Sequence, residues 1–161
     1  MEAQYKADMA QVLAQLLPRS VLCLGAPCPD AVRDYIAAAA GRLSRHLPEL
    51  PQAPGAFDLI VVTGLLERLD KPDGEHLLAR LRDLLGGRFL LTVPVGPRPQ
   101  QASQWDVGEL LALGLILVGR YPDGEGETHL YRYDLGDYKT TPEWFNPRFW
   151  AHPERWDKDF W

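Results

Sequence analysis

Residues 57–69, Phe57-Asp58-Leu59-Ile60-Val61-Val62-Thr63-Gly64-Leu65-Leu66-Glu67-Arg68-Leu69, decide the fold. The unbroken apolar run from Leu59 to Val62 is what a strand needs when both of its faces are covered. Such strands belong to parallel sheets sandwiched by helices. Thr63-Gly64 ends the run in a turn, and the residues beyond it enter a helix. Residues 21–24 and 88–93 are apolar runs of the same kind, the second closed by Pro94.

Between these strands the apolar spacing changes to that of helices. Residues 2–17 place Tyr5, Met9, Val12, Leu13, Leu16 and Leu17 on one face, and Pro18 stops the helix. Asp30 is expected to cap a helix over 31–40 with Val32, Tyr35, Ile36 and Ala39 as its stripe and Gly41 at its end. Asp70 or Asp73 can cap a third, with Leu77, Leu78, Leu81, Leu84 and Leu85 on one side and Gly86-Gly87 as its stop. Ser103, followed three residues later by Asp106, reads as a capping box for a short helix through Leu110 and Leu111 to Gly114. Residues 115–121 and 129–135 are expected as two strands joined by a Gly-rich, acidic hairpin turn. Residues 42–47 show no period, and Pro48, Pro51, Pro54 and Gly55 mark a loop. Alternating strands and helices followed by a hairpin predict an α/β sheet with a mixed edge.

Composition bounds the function. A chain of 161 residues, 46% hydrophobic, suits one domain with a real core. The formal charge of −5 offers no footprint for a phosphate backbone, so nucleic acid is not an expected partner. No apolar run approaches membrane-spanning length, and Glu2, Lys6 and Asp8 interrupt any signal-peptide core. The expectation is a soluble, cytoplasmic protein with no membrane contact. Cys23 and Cys28 read as two reduced thiols. His46, His76, His129 and His152 lack metal-ligand spacing, so no metal is expected. No Ser-His-Asp spacing, phosphate loop or carboxylate pair can be made out, and no catalytic residue is assigned.

The order of the pieces carries a resemblance. Residues 57–62 are similar to the fourth strand of the class I S-adenosylmethionine-dependent methyltransferases, and 84–94, Leu84-Leu85-Gly86-Gly87-Arg88-Phe89-Leu90-Leu91-Thr92-Val93-Pro94, resemble the fifth. Residues 110–118 are similar to the junction entering that family's terminal hairpin. The resemblance implies a three-layer Rossmann-like fold. It also implies a cofactor crevice at the strand ends, made here by Gly25, Ala26, Thr63, Gly64 and Leu65, with Asp58 near the same strand.

Two departures follow from the family pattern. A glycine-rich turn holds the cofactor through bare backbone and N–H groups, but Val21-Leu22-Cys23-Leu24-Gly25-Ala26-Pro27-Cys28-Pro29-Asp30 keeps one glycine and has two prolines, each without a donor. Cys23 stands where the family has an acid. Only 31 residues separate Gly25 from Phe57, about one crossover unit. The expected sheet is therefore truncated to about five strands, in the family's labels first-fourth-fifth-seventh-sixth, with 21–24 near an edge. The carboxylate that binds the cofactor ribose has no evident place.

The expected function is a non-catalytic binding or assembly role with no cofactor. The alternative is an active methyltransferase using S-adenosylmethionine on a small molecule or protein. Residues 1–137 form the expected domain and 138–161 a tail. Trp144, Phe145, Phe149, Trp150, Trp156, Phe160 and Trp161 lie in the tail, which packs on its own domain, on a protein partner or across a homodimer.

Overall fold

The computed structural model describes residues 2–25, 27–46, 57–83 and 87–138. Ala26, the proline-rich stretch 47–56, the helix stop at 84–86 and the aromatic tail from 139 onward, His152 included, lie outside the described residues. The order is α1 (Glu2–Leu16), β1 (Ser20–Gly25), α2 (Asp30–Ala39), β2 (Arg42–His46), β3 (Leu59–Thr63), a 3-10 turn (Leu66–Arg68), α3 (Lys71–Asp83), β4 (Arg88–Val95), α4 (Val107–Ala112), β5 (Ile116–Pro122), β6 (Glu127–Asp134) and α5 (Leu135–Tyr138).

The strands make one six-stranded sheet in the order β2-β1-β3-β4-β6-β5. β2, β1, β3 and β4 run parallel, and β6 returns antiparallel to β4 with β5 beyond it. This is the expected mixed α/β sheet with six strands in place of about five. The addition is β2, which the sequence leaves without a period because an edge strand buries too little to need one: Arg42 and Arg45 are exposed, Leu43 and Ser44 half-buried. Charged side chains on such an edge also oppose pairing with another chain. β1 is thus interior, bonded to β2 on one side and β3 on the other.

Both faces of the sheet are buried, which explains the apolar runs. Alternate residues Val21, Cys23, Leu59 and Val61 pack beneath α1 and α2 with Met9, Leu13, Val32 and Ile36. Leu22, Leu24, Ile60 and Val62 face α3 and α4 with Leu78, Leu81, Trp105 and Leu110. Residues 21–24 and 59–62 therefore lose their water-exposed surface to one layer or the other, the dominant favourable term in holding the three layers together. Tyr121 of β5 stacks edge-on to Tyr5 at 5.9 Å and donates its hydroxyl to Asp8, tying α1 to the hairpin. Burial and the Asp8 carboxylate push the Tyr121 phenol well above its ordinary range.

Four helix ends differ from expectation. Leu17 leaves the apolar face, 68% exposed with φ 48°, because the helix ends one residue earlier, ahead of Pro18. Asp30 forms no cap; it pairs with Arg33 inside the first turn, and Ala40 rather than Gly41 takes the left-handed position. The α4 capping box is Asp106 with Glu109, one turn later than Ser103 suggested. Asp70 does cap α3, accepting from the Asp73 amide at 2.9 Å.

Candidate functional site at the carboxyl edge of the sheet

Open α/β sheets bind ligands where the parallel strands end, because the connections there diverge to opposite layers. Among the described residues three segments occupy that edge, the turn after β1, the 3-10 turn after β3 and the loop after β4.

In the turn, Gly25 lies opposite Thr63 in the β1–β3 register and has φ +86°. A Cβ on Gly25 would stand 1.9 Å from the Thr63 carbonyl oxygen, so only glycine fits. Thr63, 4% exposed, donates from Oγ1 to the Pro27 carbonyl at 2.9 Å and holds the turn down onto β3. Cys23 and Cys28 are joined in a disulfide with Cα atoms 5.7 Å apart, both buried against α2. This corrects the expectation of two free thiols: the turn doubles back over the strand and brings Cα atoms five positions apart into bonding range. α2 then starts from Pro29 with no side-chain cap.

The structure thus brings Gly25, Thr63, Gly64 and Leu65 together, while Ala26 lies outside the described residues. Asp58 does not join them. It sits at the opposite end of β3, where its Oδ2 accepts from the amides of Arg19 at 2.9 Å and Ser20 at 3.1 Å. The Arg19 amide bond, with those from Ser20, holds the Asp58 carboxyl below its usual range. β2 carries no carboxylate in Arg42–His46, so none of its residues supplies the ribose-binding acid.

The loop after β4 is the site that sequence reading missed. Residues 96–105 are fastened at several points: the Gly96 amide to the Trp105 carbonyl, the Ala102 amide to the Glu67 carbonyl at 3.0 Å, and the Ser103 hydroxyl to the Leu66 carbonyl at 3.0 Å. Trp105 is buried against Gly74 of α3, with Lys71 Nζ 3.8 Å from its ring centroid. Arg98, 8% exposed, bonds Asp123 Oδ2 at 2.5 Å and the Glu127 carbonyl at 3.1 Å, anchoring the loop to the β5–β6 hairpin. Burial works against ionisation of Asp123, but bonds from Thr128, Arg98 and the Glu125 amide outweigh it and keep the carboxyl low. Glu67 is the reverse case, pushed up by burial, which outweighs the hydrogen bond from its own amide and the charges of Arg68 and Arg98.

Between this loop and the 3-10 turn lies a cleft of about 750 Å³, within the size range of small-molecule sites. Glu67 and Arg68, which stand where the resembling family has a Glu-His pair and are explained nearly as well by an exposed helix start, form part of its wall. The only advance signal was the density of polar residues among prolines in 97–101.

His129 is buried at 1% exposure, its ring nitrogens 3.0 Å from the Tyr131 hydroxyl and 2.8 Å from Glu127 Oε2. Tyr131 is fully buried, so this chain of contacts is structural. Among the described residues no group of three metal-ligating side chains occurs, and no helix is long and apolar enough to cross a membrane.

A three-layer sandwich with this strand order and a terminal hairpin is the fold of the S-adenosylmethionine-dependent methyltransferases. Solved structures agree. The mitomycin 7-O-methyltransferase MmcR matches with a TM-score of 0.52 at 15% identity, over 81% of this chain and 53% of that one. A Burkholderia thailandensis 1,6-didemethyltoxoflavin-N1-methyltransferase, holding 1,6-didemethyltoxoflavin and S-adenosylhomocysteine, matches with 0.51 at 17% over 83% and 79%. Human N-acetylserotonin methyltransferase in complex with SAM gives 0.54 at 12% over 82% and 52%. The chain spans about half the length of the first and third. No curated protein sequence matches it. The chain belongs to a family of unknown function, DUF6231, whose profile matches residues 3–161.

Proposed function

We propose that this chain is a methyltransferase-fold protein whose cofactor turn has been remodelled into a fixed structural element, and that it acts by binding rather than by methyl transfer. The observation that carries this reading is the turn itself. The Cys23–Cys28 bridge, the Thr63–Pro27 hydrogen bond and the contact of Gly25 with the Thr63 carbonyl all use the turn for internal contacts. Two prolines remove N–H donors that an adenosyl cofactor would need.

Calorimetric titration of the full chain with S-adenosylmethionine and S-adenosylhomocysteine, with the bridge intact and after reduction, tests it. The expected result is no saturable heat in either state. Micromolar binding in either state overturns the reading.

One observation favours a second reading, an active methyltransferase. Gly25, Thr63 and Leu65 remain together at the carboxyl edge of the sheet, where open α/β sheets take their ligands, and the toxoflavin enzyme, a structural neighbour, was solved with S-adenosylhomocysteine bound. Methyl transfer needs chiefly a donor and nucleophile held in line, so a missing acid or base does not count against it. S-adenosylhomocysteine co-purifying with the protein, detected by mass spectrometry, decides for this reading.

A further inference from the structure

Residues 97–102 stand out by how they are held. The segment leaves the sheet at Gly96 and returns at Ser103. Its ends are closed into a neck by the Gly96 amide on the Trp105 carbonyl at 3.1 Å and by the Val95–Trp105 bridge. The neck is anchored in the core, because Trp105 is buried and its Nε1 donates to Ser103 Oγ at 2.9 Å. Beyond the neck, no residue of 97–102 packs into either hydrophobic cluster of the described residues, and Pro97, Pro99, Gln100 and Ala102 are exposed. The contacts that hold the segment down are polar: the Ala102 amide on the Glu67 carbonyl, and Arg98 on Asp123 and the Glu127 carbonyl.

Those contacts are opposed. Glu67 Oε2, Arg98 Nε and Gln101 Oε1 are closed off from water and have no hydrogen-bond partner among the described residues. Each would be hydrated if the segment lifted, so each favours lifting by the free energy that burying an unpaired polar group costs. A segment with little apolar burial and three such groups belongs to the parts of a fold that open first. The cleft of about 750 Å³ between it and the 3-10 turn leaves room for the movement.

We infer that residues 97–102 are a lid that lifts as a unit about the Gly96–Trp105 neck, off the 3-10 turn that follows β3, while the sheet stays folded. Lifting presents the Glu67 carboxyl and the Arg98 guanidinium to solvent at the edge where open α/β sheets take ligands, and closure withdraws both. The lid shares no residue with the turn after β1, so it stands or falls independently of whether that turn holds a cofactor.

Native-state amide exchange of the full chain, followed by NMR and corrected for intrinsic rates, tests it. The Ala102 amide, bonded across the lid, is expected to exchange at least about a hundredfold faster than the slowest amides of β3 and β4. The Gly96 amide, in the neck, should exchange at least about tenfold more slowly than Ala102. Gln101→Leu and Glu67→Leu each take away one unpaired atom and keep the backbone bond, so each should slow Ala102 exchange about tenfold. Slowing in either variant supports the lid. Asp58→Asn, at the far end of β3, should leave the ratio of Ala102 to Gly96 exchange unchanged. Ala102 protected as well as β3, Gly96 exchanging as fast as Ala102, or no slowing in either leucine variant overturns the inference.

Discussion

The turn at 25–29 and the loop at 96–105 leave the same edge of one sheet, yet their polar groups end in different states. In the turn, Thr63 Oγ1 meets the Pro27 carbonyl, the thiols meet each other, and Gly25 lies directly on β3. In the loop, backbone bonds and the Arg98–Asp123 pair fix the frame, while Glu67 Oε2, Arg98 Nε and Gln101 Oε1, all buried, have no hydrogen-bond partner among the described residues.

The sharpest way to break the comparison is Gly25→Ala. The new Cβ would meet the Thr63 carbonyl at 1.9 Å on a residue with φ +86°, combining overpacking with backbone strain. A loss of about 4 kcal/mol is expected, read as a lower urea midpoint. A near-neutral result would mean that the turn moves freely off β3.

On the loop side, Asp123→Ala leaves the buried Arg98 guanidinium with only the exposed Glu125 carboxylate, 3.9 Å away, as counter-ion. Stability should fall by about 3 kcal/mol, with the melting temperature dropping by about 3 °C for each of these. Urea unfolding followed by tryptophan fluorescence reports it through buried Trp105.

Joint replacement of Cys23 and Cys28 by alanine returns to the turn. The bridge spans a sequence separation of 5, so the chain-entropy account gives it about 2 kcal/mol. Intact-mass measurement after alkylation should show no adduct on the untreated protein and two after denaturing reduction. Adducts without reduction would remove the bridge from the account of the turn.

The smallest effect separates the two kinds of carboxyl group. Asp58 is held low by amide donors, so its contribution is present above the usual carboxylate range and lost as pH falls through its lowered value. Asp58→Asn should flatten the acid limb of stability by about 1 kcal/mol or less, given its exposure. Glu67 carries the opposite sign. Its raised value makes the folded state hold a proton more tightly, so stability falls as pH rises from the usual range through the folded value. Glu67→Leu should abolish that slope, and guanidinium unfolding across a pH series distinguishes the two variants.

Residues 59–62, 21–24 and 88–93 announced their strands because burial on both faces forces an unbroken apolar run, a purely local signature. The hairpin and the Asp70 cap were legible for the same kind of reason. β2 was not, since an edge strand with Arg42 and Arg45 has no pattern to impose. Asp58 was legible at the beginning of its strand and Thr63 at its end, and an extended strand puts five residues about 16 Å apart, at opposite edges. The tail at 138–161 remains an expectation drawn from its aromatic content.

The sequence by itself determined the class of fold, because solvent exposure is the one cost that every residue of a buried strand must avoid in place. Only the tertiary structure decided which contacts close at the carboxyl edge. Gly25 against Thr63 and Cys23 against Cys28 depend on how separate segments meet, and so does the placing of Glu67, Arg98 and Gln101 around one cleft. Hydrogen bonding and disulfide formation are short-ranged and directional, so they are settled by the spatial meeting of segments and leave little trace in the local order of residues.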